Sequence, residues 1–243
     1  MDWIKDCLEN NLIGKKIYVT GVTGHGIGAP IEEETILCLQ KNGSKPTYRP
    51  EELWNTYIAS HPDVEAHKRT EALNEVARNL LVIRPDQINS KKTDGVIVKV
   101  EPSQTATADF VTFPDNTNYK LSKKLIIGDV KSLPFGKKGD SSNNLISYRK
   151  IGTMCAIMKR TGLYHYVDIR YIGVEWHQIS KNSIEVVSVI IRDLFKENPT
   201  RLRVNTACSQ LQTSINCWTQ DYRKSREEWC DDFISHLEKS LTR

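Results

Sequence analysis

Apolar positions before residue 90 recur mostly at helical spacing, and after residue 95 they gather in short blocks of strand character. Residues 2–12 predict a short helix, and Lys16-Ile17-Tyr18-Val19-Thr20 reads as a strand. A turn carrying Gly21, Gly24, Gly26 and Gly28 leads to Pro30, where a helix is expected over 31–40. Proline suits a first helical turn, and Glu32, Glu33 and Glu34 complement the positive end of the helix dipole. Pro50-Glu51-Glu52 and Pro62-Asp63 open two more helical stretches; in 63–83, Leu73, Val76, Ala77, Leu80 and Leu81 keep helical steps.

Residues 95–100, 108–113 and 125–130 are short, β-branched and bounded by turn residues, so they read as strands. Pro114-Asp115-Asn116-Thr117-Asn118 is the turn joining the last two, and 132–143 is a loop. Leu145, Tyr148, Ile151, Cys155 and Met158 then fall at three- and four-residue steps, which predicts an amphipathic helix. Strands are expected near 166–176, 184–191 and 201–205, and Ser225 is placed to cap a C-terminal helix. The order predicts an α/β (α+β) fold, a mixed sheet flanked by helices. One domain over 1–243 is expected, with 1–90 mainly helical, a core over 95–191, and a strand and helix in 192–243.

Composition narrows the class only slightly. Of 243 residues, 34 are Lys or Arg and 30 Asp or Glu, a net charge of +4 that permits nucleic-acid binding without requiring it. No apolar run approaches the roughly 18 residues of a membrane helix, and the N-terminus lacks the order of a signal peptide. The six cysteines are scattered with no CxxC, which fits a reduced, cytoplasmic protein, and the histidines have no metal-site spacing.

The chemistry concentrates at two predicted strands. Asp109 begins one, and Gly128-Asp129-Val130-Lys131 ends the next. Residues two apart share a strand face, so Asp129 and Lys131 project together while Val130 points into the core. If the strands pair as a hairpin, Asp109 approaches Asp129, and two carboxylates and one ammonium surround a point. Carboxylate oxygens suit Mg²⁺, which polarises phosphate and acidifies a bound water, and an adjacent lysine can orient that nucleophile and stabilise developing charge. Asp115 is the competing second acid. As a tripeptide, D-x-K also describes an ordinary salt bridge at a strand end.

The order of these pieces resembles the PD-(D/E)xK nuclease core, and the chain as a whole resembles the HincII-type restriction endonucleases. Residues 12–16, Gly24 to Glu32, Thr107-Ala108-Asp109-Phe110, Asp129-Val130-Lys131 and Asn144-Leu145-Ile146-Ser147 carry the resemblance. Val167 to Tyr171, Asp193 to Lys196, Asn205 and Arg226-Glu227-Glu228-Trp229 continue it in order. It implies a restriction-endonuclease-like fold, Mg²⁺, a homodimer on palindromic double-stranded DNA, a blunt central cut and a bacterial restriction-modification system. It carries metal binding onto Asp109, Asp129 and the carbonyl of Val130, and nucleophile orientation onto Lys131. The turn between the two catalytic strands is longer here than the family's pattern.

Two segments are candidates for contacting DNA. The loop after Lys131 holds Lys137, Lys138, Ser141, Ser142 and Asn143, with Asn144 following; lysines there would meet phosphate. The resemblance implies base contact by Asn144, which could equally cap a helix, and it predicts a wedging glutamine in this loop where Asp140, Ser141 and Ser142 stand. In 201–205, alternation puts Arg201, Arg203 and Asn205 on one face, where Arg suits guanine and Asn suits adenine. The arginines could equally bind phosphate, and Gln210 and Gln212 are weaker candidates. A rival in another class is the strand–TGVTGHGIG–helix segment, which resembles a dinucleotide fingerprint, but its glycines give GxGxG where GxGxxG is required, so no nucleotide cofactor is expected. A DNA-binding module without catalysis is the other alternative, and the acids beside Lys131 weigh against it.

Overall fold

The computed structural model describes residues 2–23, 25–49, 108–114, 124–136, 143–162, 164–165, 167–206 and 210–242. The expected helices beyond residue 50, the strand 95–100, Asp115 and the loop residues 137–142 lie outside them. In chain order the elements are α1 (Trp3–Asn11), β1 (Lys16–Tyr18), α2 (His25–Asn42), β2 (Thr47–Tyr48), β3 (Phe110–Thr112), β4 (Leu125–Pro134) and β5 (Asn143–Ser147). There follow α3 (Tyr148–Thr161), β6 (Val167–Ser180), β7 (Ser183–Asp193), β8 (Arg203–Asn205), β9 (Gln210–Thr213) and α4 (Arg226–Leu241). A six-stranded sheet has the order β1-β7-β6-β4-β3-β2, and a three-stranded sheet has the order β5-β9-β8. This is the mixed, helix-flanked α/β architecture the sequence predicts.

β4 lies at the middle of the large sheet. It pairs antiparallel with β3 and parallel with β6, from Leu125↔Val167 to Pro134↔Trp176. A parallel neighbour needs a crossover connection, and β5 with α3 supplies it. Such a strand is covered on both faces, which explains its unbroken run of buried residues from Leu125 to Val130. Ile126 and Val130 pack with α1 and α2 on one side. Ile127 and Leu133 pack with residues of α3 and α4 on the other. Gly128 lies between: a Cβ there would stand 2.1 Å from the ring of Phe110, its cross-strand partner, so the aromatic ring fills the space a side chain would need.

β4 continues to Pro134, into the expected loop over 132–143, and three further elements differ from expectation. Helix α2 begins at His25, so Pro30 sits inside it. The carbonyl that Pro30 cannot serve is that of Gly26, and the Thr20 N–H donates to it at 3.2 Å. Gly26 is also required for close packing, since a Cβ there would lie 2.9 Å from the Gly21 nitrogen. Next, residues 143–147 form a strand, and α3 starts only at Tyr148. Leu145 and Ile146 are both buried, at a register shift between Asn144 and Ser147, so helical spacing there reflects a bulged strand. Asn144 therefore lies in β5 and is not the cap of α3, whose cap position is Ser147. Last, Arg201 belongs to a short 3-10 turn, Pro199–Arg201, ahead of β8.

The topology also removes the dinucleotide-binding alternative. β1 is an edge strand, antiparallel to β7, and α2 runs from it to β2 at the opposite edge. A dinucleotide fold needs a parallel strand–helix–strand unit at this place.

Candidate active site

The hairpin of β3 and β4 brings Asp109 onto Asp129 and Lys131. The Asp109 N–H donates to the Gly128 carbonyl at 2.9 Å, and the Val130 N–H donates to Asp109 Oδ2 at 2.6 Å. The carboxylate takes a backbone donor at the end of the ladder, which fixes it beside Val130. On β4, Lys131 Nζ donates to Asp129 Oδ1 at 2.6 Å. Asp129 is 5% exposed, and the Lys131 side chain 22%. Val130 points to the opposite face, among the apolar residues of α1 and α2, as strand alternation requires.

The electrostatics follow from this crowding. Burial pushes the Asp129 carboxyl well above the ordinary carboxylate range; Lys131 opposes that, and Asp109 adds to it through charge and a shared hydrogen bond. For Lys131, burial acts downward, but Asp129 and Asp109 outweigh it and hold the ammonium above its usual value. Two carboxylates in hydrogen-bond contact repel unless a proton or a cation lies between them. That donor set fits a hard divalent ion: two carboxylates alone suit Mg²⁺, which retains several waters. Among the described residues, no group of three or more His, Cys, Asp or Glu side chains is arranged to hold a metal.

One neighbour was not legible as a site residue. Glu32 on α2 feels the charges of both Asp109 and Lys131; burial and then Asp109 push it up to about 7, against the pull of Arg49 and Lys131. Its triplet looked like the acidic start of a helix, yet the helix begins seven residues earlier, at His25. Glu33 pairs with Arg49 and Glu34 with Lys15, so the three acids serve separate ends. The signal was available only as an acid on a helix that packs against β4.

The other candidates divide. Arg203 and Asn205 lie on β8. Arg201 is turned away from them, donating to Thr219 Oγ1 at 2.8 Å beside Asp221, so the expected three-residue face is reduced to two. Asn143 and Asn144 lie on β5, opposite Thr213 and Gln212 of β9. Lys137, Lys138, Ser141 and Ser142 are outside the described residues.

A family model described as restriction endonuclease HincII matches residues 8–242. The type II restriction enzyme HindII of Haemophilus influenzae (strain ATCC 51907 / DSM 11121 / KW20 / Rd) is 28% identical over 237 residues, covering 95% of this chain and 87% of that protein. Among solved structures, the NlaIV restriction endonuclease aligns with a TM-score of 0.25 and 11% identity over 48% of this chain and 58% of that one. The match of the family model along nearly the whole sequence shows that this chain belongs to the HincII family of restriction endonucleases.

Proposed function

We propose that the chain is a Mg²⁺-dependent type II enzyme that hydrolyses phosphodiester bonds of double-stranded DNA at a short palindromic site, leaving blunt ends. It works as a homodimer in the bacterial cytoplasm, within a restriction-modification system. The convergence of Asp109, Asp129 and Lys131 at the β3–β4 ladder carries this reading. A palindrome presents two half-sites related by a two-fold axis, which a symmetric dimer matches.

Asp109 and Asp129 would hold Mg²⁺, with the Val130 carbonyl as a further ligand. In an extended strand the N–H and C=O of one residue point to the same edge, and the Val130 N–H already points at Asp109. The bound ion supplies Lewis-acid activation of the phosphate and a water acidified toward neutrality. Asp129 positions Lys131, whose ammonium stays charged and would offset the negative charge that accumulates on the phosphate. Glu32 acts on the site through charge, coupled to Asp109 and Lys131 from α2.

The whole chain, 1–243, acts as one endonuclease domain, with 1–90 contributing dimer and DNA contacts, 95–191 the catalytic core and 192–243 the recognition strand. Lys137, Lys138, Ser141 and Ser142, with Asn143 and Asn144, line the DNA after the catalytic strand. Arg203 and Asn205 read base edges, and Arg201 contacts the backbone. Digesting a plasmid of known sequence with Mg²⁺ and mapping the ends tests the reading. Discrete blunt fragments sharing one palindrome are expected with Mg²⁺ and none with EDTA; random nicking, or cutting that persists in EDTA, rejects it.

The raised carboxyls give a thermal test. A folded-state pKa above the unfolded one means that stability is lost as pH rises, here from the ordinary value of 4.5 through about 7 for Glu32, with Asp129 moving the same way. Metal binding needs these groups ionised, so it releases protons and strengthens with pH. The rise in Tm on adding Mg²⁺ should therefore be larger at pH 8 than at pH 5.5. A rise independent of pH would place the ion elsewhere.

A further inference from the structure

The small sheet β5-β9-β8 carries a polar face. Arg203 pairs with Gln212, Val204 with Leu211 and Asn205 with Gln210. Leu211 is fully buried and Val204 packs against the same core, so Arg203, Asn205, Gln210 and Gln212 share the opposite face. In that face Asn205 Nδ2 donates to Gln212 Oε1 at 2.8 Å, a diagonal contact across the two strands.

A carboxamide is nearly symmetric in shape, and its two ends are opposite in hydrogen-bonding sense. An asparagine that reads adenine must present its oxygen to N6–H and its nitrogen to N7, in that order. A flipped amide presents oxygen to N7 and nitrogen to N6, and both contacts become repulsive. At Asn205 the flip would also set its oxygen against Gln212 Oε1. We infer that Gln212 is a positioning residue for sequence recognition: by accepting from Asn205 Nδ2 it fixes which end of the Asn205 amide faces each base-edge group. The inference rests on the reading of β8 as a base-contacting strand.

The experiment compares kcat/KM on the plasmid-mapped site with that on sites carrying each single base-pair change. Asn205→Ala should lower discrimination at one symmetric pair of positions by about 5- to 150-fold, the span of one bidentate base contact. Gln212→Met, of similar length without the acceptor, should lower it at the same positions by about 2- to 12-fold, the net worth of one hydrogen bond. Gln212→Glu keeps an acceptor oxygen at that reach and should preserve the ratio, although its charge beside phosphate lowers overall kcat/KM. In an Asn205→Ala background, Gln212→Met should add nothing at those positions. Should Asn205→Ala relax the preference and Gln212→Met leave it intact, the positioning role is overturned and the base-reading strand stands. If Asn205→Ala itself changes no preference, β8 does not read bases and the inference fails with it. A Gln212→Glu protein as relaxed as Gln212→Met makes the residue structural only.

Discussion

Asp129→Ala is expected to abolish Mg²⁺-dependent cleavage, by roughly a thousandfold or more, while DNA binding largely persists. Two losses combine in this one change. The proposed ion loses a carboxylate, and direct charge stabilisation of this kind contributes several kcal/mol to a phosphoryl transition state. Lys131 also loses the partner that its Nζ contacts at 2.6 Å, and burial then acts on the amine against the weaker counter-charges of Asp109 and Glu32. Its proton becomes easier to lose, and its position is no longer fixed. Lys131→Ala removes the second effect alone: Asp109 and Asp129 remain, so the metal-induced rise in Tm survives and the rate falls severely. Single-turnover cleavage in Mg²⁺ with filter binding of the same duplex separates the two variants. Asp129→Ala cutting within tenfold of the parent would remove Asp129 from the catalytic centre.

The β3–β4 hairpin was legible because its signals are local. Alternation set Asp129 and Lys131 together against Val130, and the turn chemistry predicted the antiparallel pairing that delivers Asp109. Where the reading slipped, tertiary contacts overrode a local pattern. Leu145, Tyr148 and Ile151 keep helical spacing, but Leu145 is buried on a bulged strand because β9 offers a pairing edge there. Pro30 looked like a helix start because sequence alone cannot show that Thr20 satisfies the carbonyl left open one turn earlier. Arg201 matched the alternation of Arg203 and Asn205, yet Asn198 and Pro199 start a 3-10 turn that carries it away, with Asn198 Oδ1 accepting from the Thr200 N–H. Glu32 depends on long-range placement entirely: its proximity to Asp109 comes from α2 crossing the sheet, which no neighbouring residue encodes.

Arg226→Ala is expected to destabilise the fold by about 3–5 kcal/mol, because it strands a buried charge. Asp168 lies on β6, directly beside Ile126 of β4, and is 2% exposed. Its carboxylate contacts Arg226 from α4, Lys124 Nζ at 2.7 Å and, less closely, Arg170 at 3.6 Å. Arg170 is shared with Asp193 at 3.1 Å, and Lys124 is about one third exposed, so neither replaces the guanidinium. Arg226 also donates to the Tyr164 carbonyl and lies 4.2 Å from the centre of the Phe195 ring, which in turn meets Trp229 edge-on at 4.9 Å. Losing it therefore exposes one carboxylate to an unbalanced apolar setting and loosens the seat of α4 on the sheet. For a chain of this size, the loss corresponds to a fall in Tm of roughly 6–20 °C. Lys159→Ala provides the contrast: its pair with Asp231 is about half exposed on both sides, where solvent screens the charges, so its loss should leave the melting temperature nearly unchanged. Thermal melts of the two variants beside the parent decide the matter. An Arg226→Ala melting temperature within about 3 °C of the parent would mean that Lys124 and Arg170 suffice to balance Asp168, and that α4 is held by its aromatic contacts alone.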